Sequence, residues 1–378
     1  MSTQKKIMVL GTNAGQADLI RHMKDRGWFV IGVSPIKGES GQAFCDVVEE
    51  INIVDLDALE EAARRHEVDL VYSISSDIAM TSVVALAERL GLPHFYDSEF
   101  VALLDNKAAF RAFLKEHDLS PVPFIEVTEP AGAAHWDHFP CMVKPTDAQG
   151  QRGVVRIDRA EDLNAAITQA VSLSRSKRAI VEGFLDGVEI SCNVMVSDGE
   201  VRMKVLSERL VHGPHALGVP RGHLVPCKDV SEENQRAALD LVDGIIAAMG
   251  TRDGVLYCQM IVTPEGPRVV EIAPRLDGCH MWRLIRAAEN VDLIGMAMDC
   301  LTGEGSPETL PNGGEGDRHG RDMELMFQQM APGDPFDQAR FPEPEGSLYH
   351  EYRYEDGDDI RPINGTLEVV GYYVRVTP

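Results

Sequence analysis

A chain of 378 residues exceeds what one hydrophobic core usually supports, so two or three domains are expected. With 44% hydrophobic and 25% charged residues, its composition is that of a folded enzyme rather than a disordered segment. The formal net charge of −24, with no local Lys/Arg run, argues against nucleic acid as a partner and makes any cation in a cleft informative about anionic ligands.

Seven cysteines, at 45, 141, 192, 227, 258, 279 and 300, include no C-x-x-C pair. Such a scattered, odd set fits reduced thiols, and structural zinc is not expected. The start, MSTQKKIMVLGTNAG, has an apolar run too short for a signal peptide, and no stretch approaches a membrane span. The expected location is the cytoplasm, with no membrane partner.

In chain order, the apolar runs 6–10, 28–33 and 69–74 alternate with helical spacing over 16–26, 57–66 and 79–90. This predicts βαβ units and a parallel sheet, whose ligands bind at the carboxyl ends of the strands. Gly11 to Gly15 and Ser75-Ser76-Asp77 fall at those ends. The first lacks the three-glycine dinucleotide fingerprint and reads as a tight strand-to-helix turn. A helix is expected over 98–119, ended by the two prolines of SPVPF.

Beyond that boundary the pattern changes. FPCMVKP and GVVRI read as strands around KPTDAQGQRGV (144–154), and a helix is expected over 161–174. The stretch from Arg178 to Leu210 reads as antiparallel strands joined at Asp198-Gly199, a strong hairpin dipeptide. Ser231 opens a long helix with acids in its first turn and Gly250 just past its end. Strands over 255–263 and 267–273 are followed by two helical segments, then by the turn-rich SPETLPNGGEGDRHGR and a β-rich close containing SLYHEYRY and TLEVVGYYVRV.

Three constellations carry candidate chemistry. In the 255–273 hairpin, taking Pro264-Glu265-Gly266 as a three-residue loop with Glu265 at its tip places Gln259 opposite Glu271. Opposed residues share a face with Cβ atoms ~5 Å apart. One carboxylate and one amide oxygen at that spacing suit a hard cation such as Mg²⁺, and alternation puts Ala273 and Arg275 on the same face. A solvated polar strand face with an ion pair accounts for this pattern equally well.

In the 144–154 stretch, the lysine precedes the glycines, the reverse of a Walker loop. Lys144 closes a strand, and the loop that follows reads as a flexible hairpin flap whose Gly150 and Gly153 could form an anion nest, or as a plain surface hairpin. In VEGFLDGVEIS, Glu182 and Glu189 flank Phe184 and Leu185. Carboxylates suit ribose hydroxyls or an adenine amino group, and the apolar pair suits a base, although exposed edge acids are common.

Taken in order, NKAAFRAFL, MVKPTDAQGQRGVV, IVEGFLDGVEIS and the pair YCQMIV and VVEIAPRLDG resemble the successive signatures of the ATP-grasp superfamily, specifically its carboxylate–amine ligases, over roughly residues 1–305. The resemblance implies an α/β fold: a Rossmann-like pre-ATP-grasp domain (1–97), then an ATP-grasp domain (98–305) whose small lobe (123–181) and large lobe (182–305) clamp ATP. A C-terminal β-rich subdomain (306–378) completes the large lobe. It implies ATP and one or two Mg²⁺, with Mn²⁺ as an alternative.

Carried over by residue, Lys107 and Lys144 contact phosphates, and the loop Gln149, Gly150, Gln151, Arg152, Gly153 closes over them. Glu182, with the backbone of Phe184 and Leu185, lines adenine, while Glu189 binds ribose. Gln259 and Glu271 ligate the metal, and Arg275 stabilises the reacting centres together with Lys144. Gln259 stands where many members have an acid, and Ala273 where they have asparagine. Substrate candidates are Ser76, Asp77, His280 and Arg283.

The implied reaction activates a small-molecule carboxylate as an acyl phosphate and joins it to an amine, in a chain expected to pair as a homodimer. No general base is needed, so His212, His215 and His223 are read as surface or hydrogen-bonded residues. The competing readings are a nucleotide-binding regulator with a degenerate metal site, motivated by Gln259 and Ala273, and a dehydrogenase, which the missing glycine fingerprint disfavours.

Overall fold

The computed structural model describes residues 4–148, 152–213, 218–304, 321–360 and 367–378. Its first sheet joins β1 (Lys6–Leu10), β2 (Phe29–Val33), β3 (Val47–Glu49) and β4 (Leu70–Tyr72), all parallel, in the order β3-β2-β1-β4. Continuous apolar runs form these strands because both faces are covered, here by α1 (Ala14–Asp25), α2 (Leu56–His66) and α3 (Asp77–Leu90). Gly15 is required by close approach: a Cβ there would stand 2.4 Å from the Ser75 hydroxyl oxygen. The Gly11 to Gly15 turn is thus explained by packing of α1 against the β4–α3 junction.

The single helix expected over 98–119 is two, α4 (Ser98–Asp105) and α5 (Lys107–Glu116). Asn106 between them has an extended backbone, and its side chain accepts N–H bonds from Ala108 and Ala109 at 3.1 Å. An asparagine N-cap satisfies the orphan amides of a new first turn, so the chain restarts a helix here. Lys107 is therefore the opening residue of α5.

A small antiparallel sheet follows: β5 (Phe124–Val127), β6 (Cys141–Pro145), β7 (Val155–Ile157) and β8 (Ala179–Gly183), in the order β5-β8-β6-β7. The helix α6 (Ala160–Leu173) covers it over a core of Val143, Ile157, Leu163, Ile167 and Val181.

The large sheet has eight strands, in the order β13-β12-β9-β10-β11-β14-β16-β15. These are β9 (Val188–Ser197), β10 (Glu200–Val211), β11 (Pro220–Val225), β12 (Gly254–Thr263), β13 (Gly266–Ala273), β14 (Met323–Met330), β15 (Ser347–Tyr352) and β16 (Glu368–Val376). Asp198 and Gly199 take φ of 56° and 76°, the double positive φ that a type I′ hairpin requires. One face packs on α7 (Glu232–Met249). Toward the first domain, α8 (Met281–Glu289) and α9 (Leu293–Thr302) share a core with Ile7, Leu19, Met195, Leu325 and Tyr372. Burying each such large apolar side chain contributes ~1.5–3 kcal/mol, which fixes the first domain against the large sheet.

The β12–β13 hairpin corrects the expected loop. Thr263 pairs with Gly266, so the connection is the two residues Pro264-Glu265 rather than three. A register shift between Gln259 and Met260 then inserts one extra residue on β13, and Gln259 faces Glu271 as anticipated. The bulge cancels the misread loop.

Among the described residues, no helix is long and apolar enough to cross a membrane. All seven cysteines are free.

Candidate active site

The polar residues of interest form three groups: one on the small sheet with α5, one on the large sheet, and one that joins the segment after β13 to the start of α3. In the small sheet, β8 places Glu182 opposite Met142, two residues before Lys144 and on the same face of β6. The Glu182 carboxylate is 4% exposed: Oε1 takes the Lys144 ammonium, and Oε2 takes Arg111 Nε at 2.8 Å. Burial pushes this carboxyl up, but the two cations outweigh it and hold the pKa down at about 2. Glu182 is thus a buried clamp for Lys144 and Arg111, with both carboxylate oxygens engaged.

Arg111 is a residue that sequence reading missed. It lies one turn from Ala108 on the buried face of α5, and a charged residue on an apolar stripe is the signal that marked it. Its Nη1 is buried without a partner, a donor beside Lys144 that an anionic oxygen would satisfy. Lys107 donates through Nζ to the Ala148 carbonyl at 2.8 Å and through its backbone N–H to Thr146 O at 3.1 Å, so it secures the root of the flap. Asp147 anchors the same root by accepting the backbone N–H groups of Arg175 and Ser176 at 3.0 and 2.7 Å.

The expected contacts Gln149, Gly150 and Gln151 lie outside the described residues, as does His215. Arg152 is exposed, and Gly153 has φ +74° with Pro145 and Leu173 packed where a Cβ would sit, so only glycine fits there.

Just past the end of β8, Phe184 and Leu185 are half-buried. The Phe184 ring lies 4.2 Å under the Arg156 guanidinium, and its backbone N–H is spent on Pro140 O. Glu189 on β9 is held through one oxygen, Oε2, by Arg209 Nη1 at 2.5 Å and Gln259 Nε2 at 3.0 Å. Its second carboxylate oxygen has no such anchor among the described residues and keeps its acceptor capacity. Arg209 was also missed, since a lone arginine in a strand carries no motif; the register puts it beside His223 on β11.

Gln259 aligns with Glu271 on one side and Ser191 on the other, and Ser191 with Ser207, in one row across four strands. Because the Gln259 amide nitrogen donates to Glu189, its amide oxygen is the atom left for a cation. With the Glu271 carboxylate opposite, this oxygen pair fits the donor chemistry of Mg²⁺. Ala273, 5% exposed and opposite Tyr257, offers no ligand.

Arg275 departs from expectation. Its guanidinium is 8% exposed and bidentate on Asp77, Nε to Oδ1 at 2.5 Å and Nη2 to Oδ2 at 3.0 Å, with Nη1 on Leu276 O at 3.0 Å. Two residues expected separately at catalytic and substrate positions hold each other across the domain boundary. Ser76 is occupied as the cap of α3, its hydroxyl accepting the Ala79 N–H at 3.3 Å.

His280 and Arg283, the other two substrate candidates, are each engaged by side chains distant in sequence. His280 is fully buried, stacked on Tyr372 at 4.2 Å with its Nε2 against Arg353 Nη2 at 2.7 Å. Arg283 donates to Asp18 of α1 at 2.5 Å and lies 3.5 Å over the Tyr349 ring. Their partners lie far away in sequence, so spacing alone could not place them. Of the other histidines, His212 bonds Gln329 at 2.7 Å and His223 is fully buried.

The small sheet and α5 carry a buried cation pair, and the large sheet carries an oxygen-rich row. Residues 137–282 match the ATP-grasp domain family. The chain is 25% identical over 321 residues to a phosphoribosylamine–glycine ligase of Salmonella typhimurium, covering 79% of this chain and 74% of that protein. Its fold superposes on an L-amino acid ligase of Bacillus licheniformis with a TM-score of 0.81 at 15% identity, covering 99% and 94% of the two chains. The biotin carboxylase domain of Hydrogenobacter thermophilus 2-oxoglutarate carboxylase, solved with MgADP, ADP and bicarbonate, also gives 0.81 at 15% identity, covering 100% and 87%. Residues 137–282 thus carry an ATP-grasp domain, and over most of its length the chain is similar in sequence to a carbon–nitrogen ligase and in fold to an amino acid ligase.

Proposed function

We propose that the site described above joins a small-molecule carboxylate to an amine, with Gln259 and Glu271 as its metal ligands. The observation that carries the reading is the Gln259–Glu271 pair: two oxygen donors facing each other, one fixed by its bond to Glu189. A magnesium ion held there would neutralise phosphate oxygens and orient them for in-line displacement. Lys144 and Arg111 bind phosphate from the small sheet, and Glu189 orients the ribose through its unanchored oxygen.

The substrate carboxylate takes the terminal phosphoryl group to give an acyl phosphate and ADP. The amine then attacks the acyl carbon and phosphate leaves. Arg275, exchanging Asp77 for the reacting group, stabilises the oxyanion. The flap after Lys144 excludes water, because an acyl phosphate hydrolyses. A homodimer is part of the proposal, as the commonest closed assembly.

The test is a phosphate-release screen over pairs of amino acids and other small acids and amines. ADP and phosphate are expected only when acid, amine and Mg²⁺ are all present. Arg275→Ala is expected to lower turnover by about two to three orders of magnitude, the scale of a lost oxyanion donor, with ATP affinity nearly intact. A fully active variant would sink that role. Ala273 favours one competing reading, a nucleotide-binding regulator. Tight ATP binding with no ADP from any pair would establish it instead.

A further inference from the structure

His223 sits in β11 near the middle of the large sheet, and the segment between β13 and α8 brings Asp277 and Cys279 onto it. A ring nitrogen, a carboxylate oxygen and a thiol sulfur lie within 4.8 Å of one another. His223 is 0% exposed, Asp277 3%, and Cys279 is half-buried.

Two atoms of this cluster are orphans, His223 Nε2 and Asp277 Oδ2, each buried with no hydrogen-bond partner. Buried polar atoms are nearly always paired, and one left alone costs ~1–3 kcal/mol. The companion atoms are engaged. His223 Nδ1 lies 3.0 Å from the Ser207 hydroxyl, which lies 2.8 Å from that of Ser191. Asp277 Oδ1 accepts the Cys279 backbone N–H at 3.0 Å. In the tautomer whose Nδ1–H donates to Ser207, the unpartnered Nε2 carries the free lone pair, the outer-shell arrangement that orients a metal-binding imidazole.

Charge points the same way. Arg209 is neutralised by Glu189 and Arg275 by Asp77, so neither serves as the dedicated counter-ion of Asp277. A divalent cation bound to the Asp277 carboxylate and the Cys279 thiolate would leave the cluster neutral, with the thiol proton released to solvent.

We propose that His223, Asp277 and Cys279 form a binding site for a thiophilic divalent cation of the zinc class, separate from the oxygen pair Gln259 and Glu271. Nitrogen and sulfur donors select such a cation over Mg²⁺. Tetrahedral ligands around zinc stand about 3.5 Å apart, so the donors need close by only about 1 Å, and water or a ligand takes the fourth position. The bound ion ties β11 to the segment that carries Arg275. No C-x-x-C motif announces it, because its donors lie at 223, 277 and 279.

The test is titration of the metal-stripped full chain with Co²⁺, reading the thiolate-to-cobalt charge-transfer band and the bound stoichiometry. One equivalent with a thiolate band is expected. Cys279→Ser should abolish the band, and Glu271→Gln should leave it unchanged. No band in the wild type, a band undiminished in Cys279→Ser, or one lost in Glu271→Gln overturns the proposal. Ser207→Ala keeps all three ligands, so it serves if the cysteine variant fails to fold. It should weaken Co²⁺ binding ~10-fold or more, the usual effect of losing an outer-shell partner, and unchanged affinity counts against the site.

Discussion

Glu182 and Glu189 leave the same short segment in opposite directions, one into the small sheet and one into the large. Glu182 is sealed, both oxygens bound by Lys144 and Arg111. Glu189 is half-buried and engaged through one oxygen by Arg209 and Gln259. Seven residues apart and chemically identical, they are set to different tasks by burial and by the number of cations around them. The sealed carboxylate holds two cations in position, and the half-open one keeps an oxygen without an anchor, the one proposed above for the ribose.

Breaking the sealed side should cost most. Glu182→Gln leaves Lys144 and Arg111 buried without a counter-charge, and loss of one partner from a buried ion pair costs about 3–5 kcal/mol. Urea unfolding should show a loss of that size, and a loss below ~1 kcal/mol would mean that the cluster is solvated. The pH dependence follows from the same carboxyl, depressed from 4.5 to about 2 in the fold. A depressed carboxyl stabilises fully above its unfolded value, so this contribution, on the order of 3 kcal/mol, is present above about pH 4.5. It is lost as pH falls toward 2. The stability gap between wild type and Glu182→Gln should narrow across that window, and a constant gap would refute the assignment.

The half-open side should respond differently. Glu189→Gln retains an acceptor for Arg209 and Gln259 but weakens charge-assisted bonds worth about 1.5–3 kcal/mol. Its stability loss should be smaller than that of Glu182→Gln, whereas its KM for ATP should rise more. If both variants lost stability equally with unchanged KM, the division between clamp and ligand oxygen would fail.

Legibility in the sequence follows the range of the interactions. The Gln259–Glu271 pairing was readable because a hairpin is local, although two errors cancelled there: the loop has two residues, and a bulge restores the register. The parallel sheet was readable from its apolar runs. By contrast, the partners of His280 and Arg283, namely Tyr372, Arg353, Asp18 and Tyr349, were not legible, because nothing near 280 announces them. Arg209 and Arg111 escaped because a single arginine becomes significant only when its burial is known. The same limit hid the mutual capture of Asp77 and Arg275, 198 residues apart.

The smallest effect concerns how the sealed cluster is built. Arg111 reaches Glu182 from α5, whose first turn depends on Asn106 accepting the N–H groups of Ala108 and Ala109. Asn106→Ala removes that cap at a cost of about 1 kcal/mol. The loss should stay near that value, because Arg111 lies a full turn inside the helix and its bond to Glu182 is buried. It should add nearly independently to Glu182→Gln in the double variant. A coupling above ~1 kcal/mol in that cycle would mean instead that the cap and the clamp form one unit, with Asn106, Lys107 and Arg111 held in place by the carboxylate rather than by the helix.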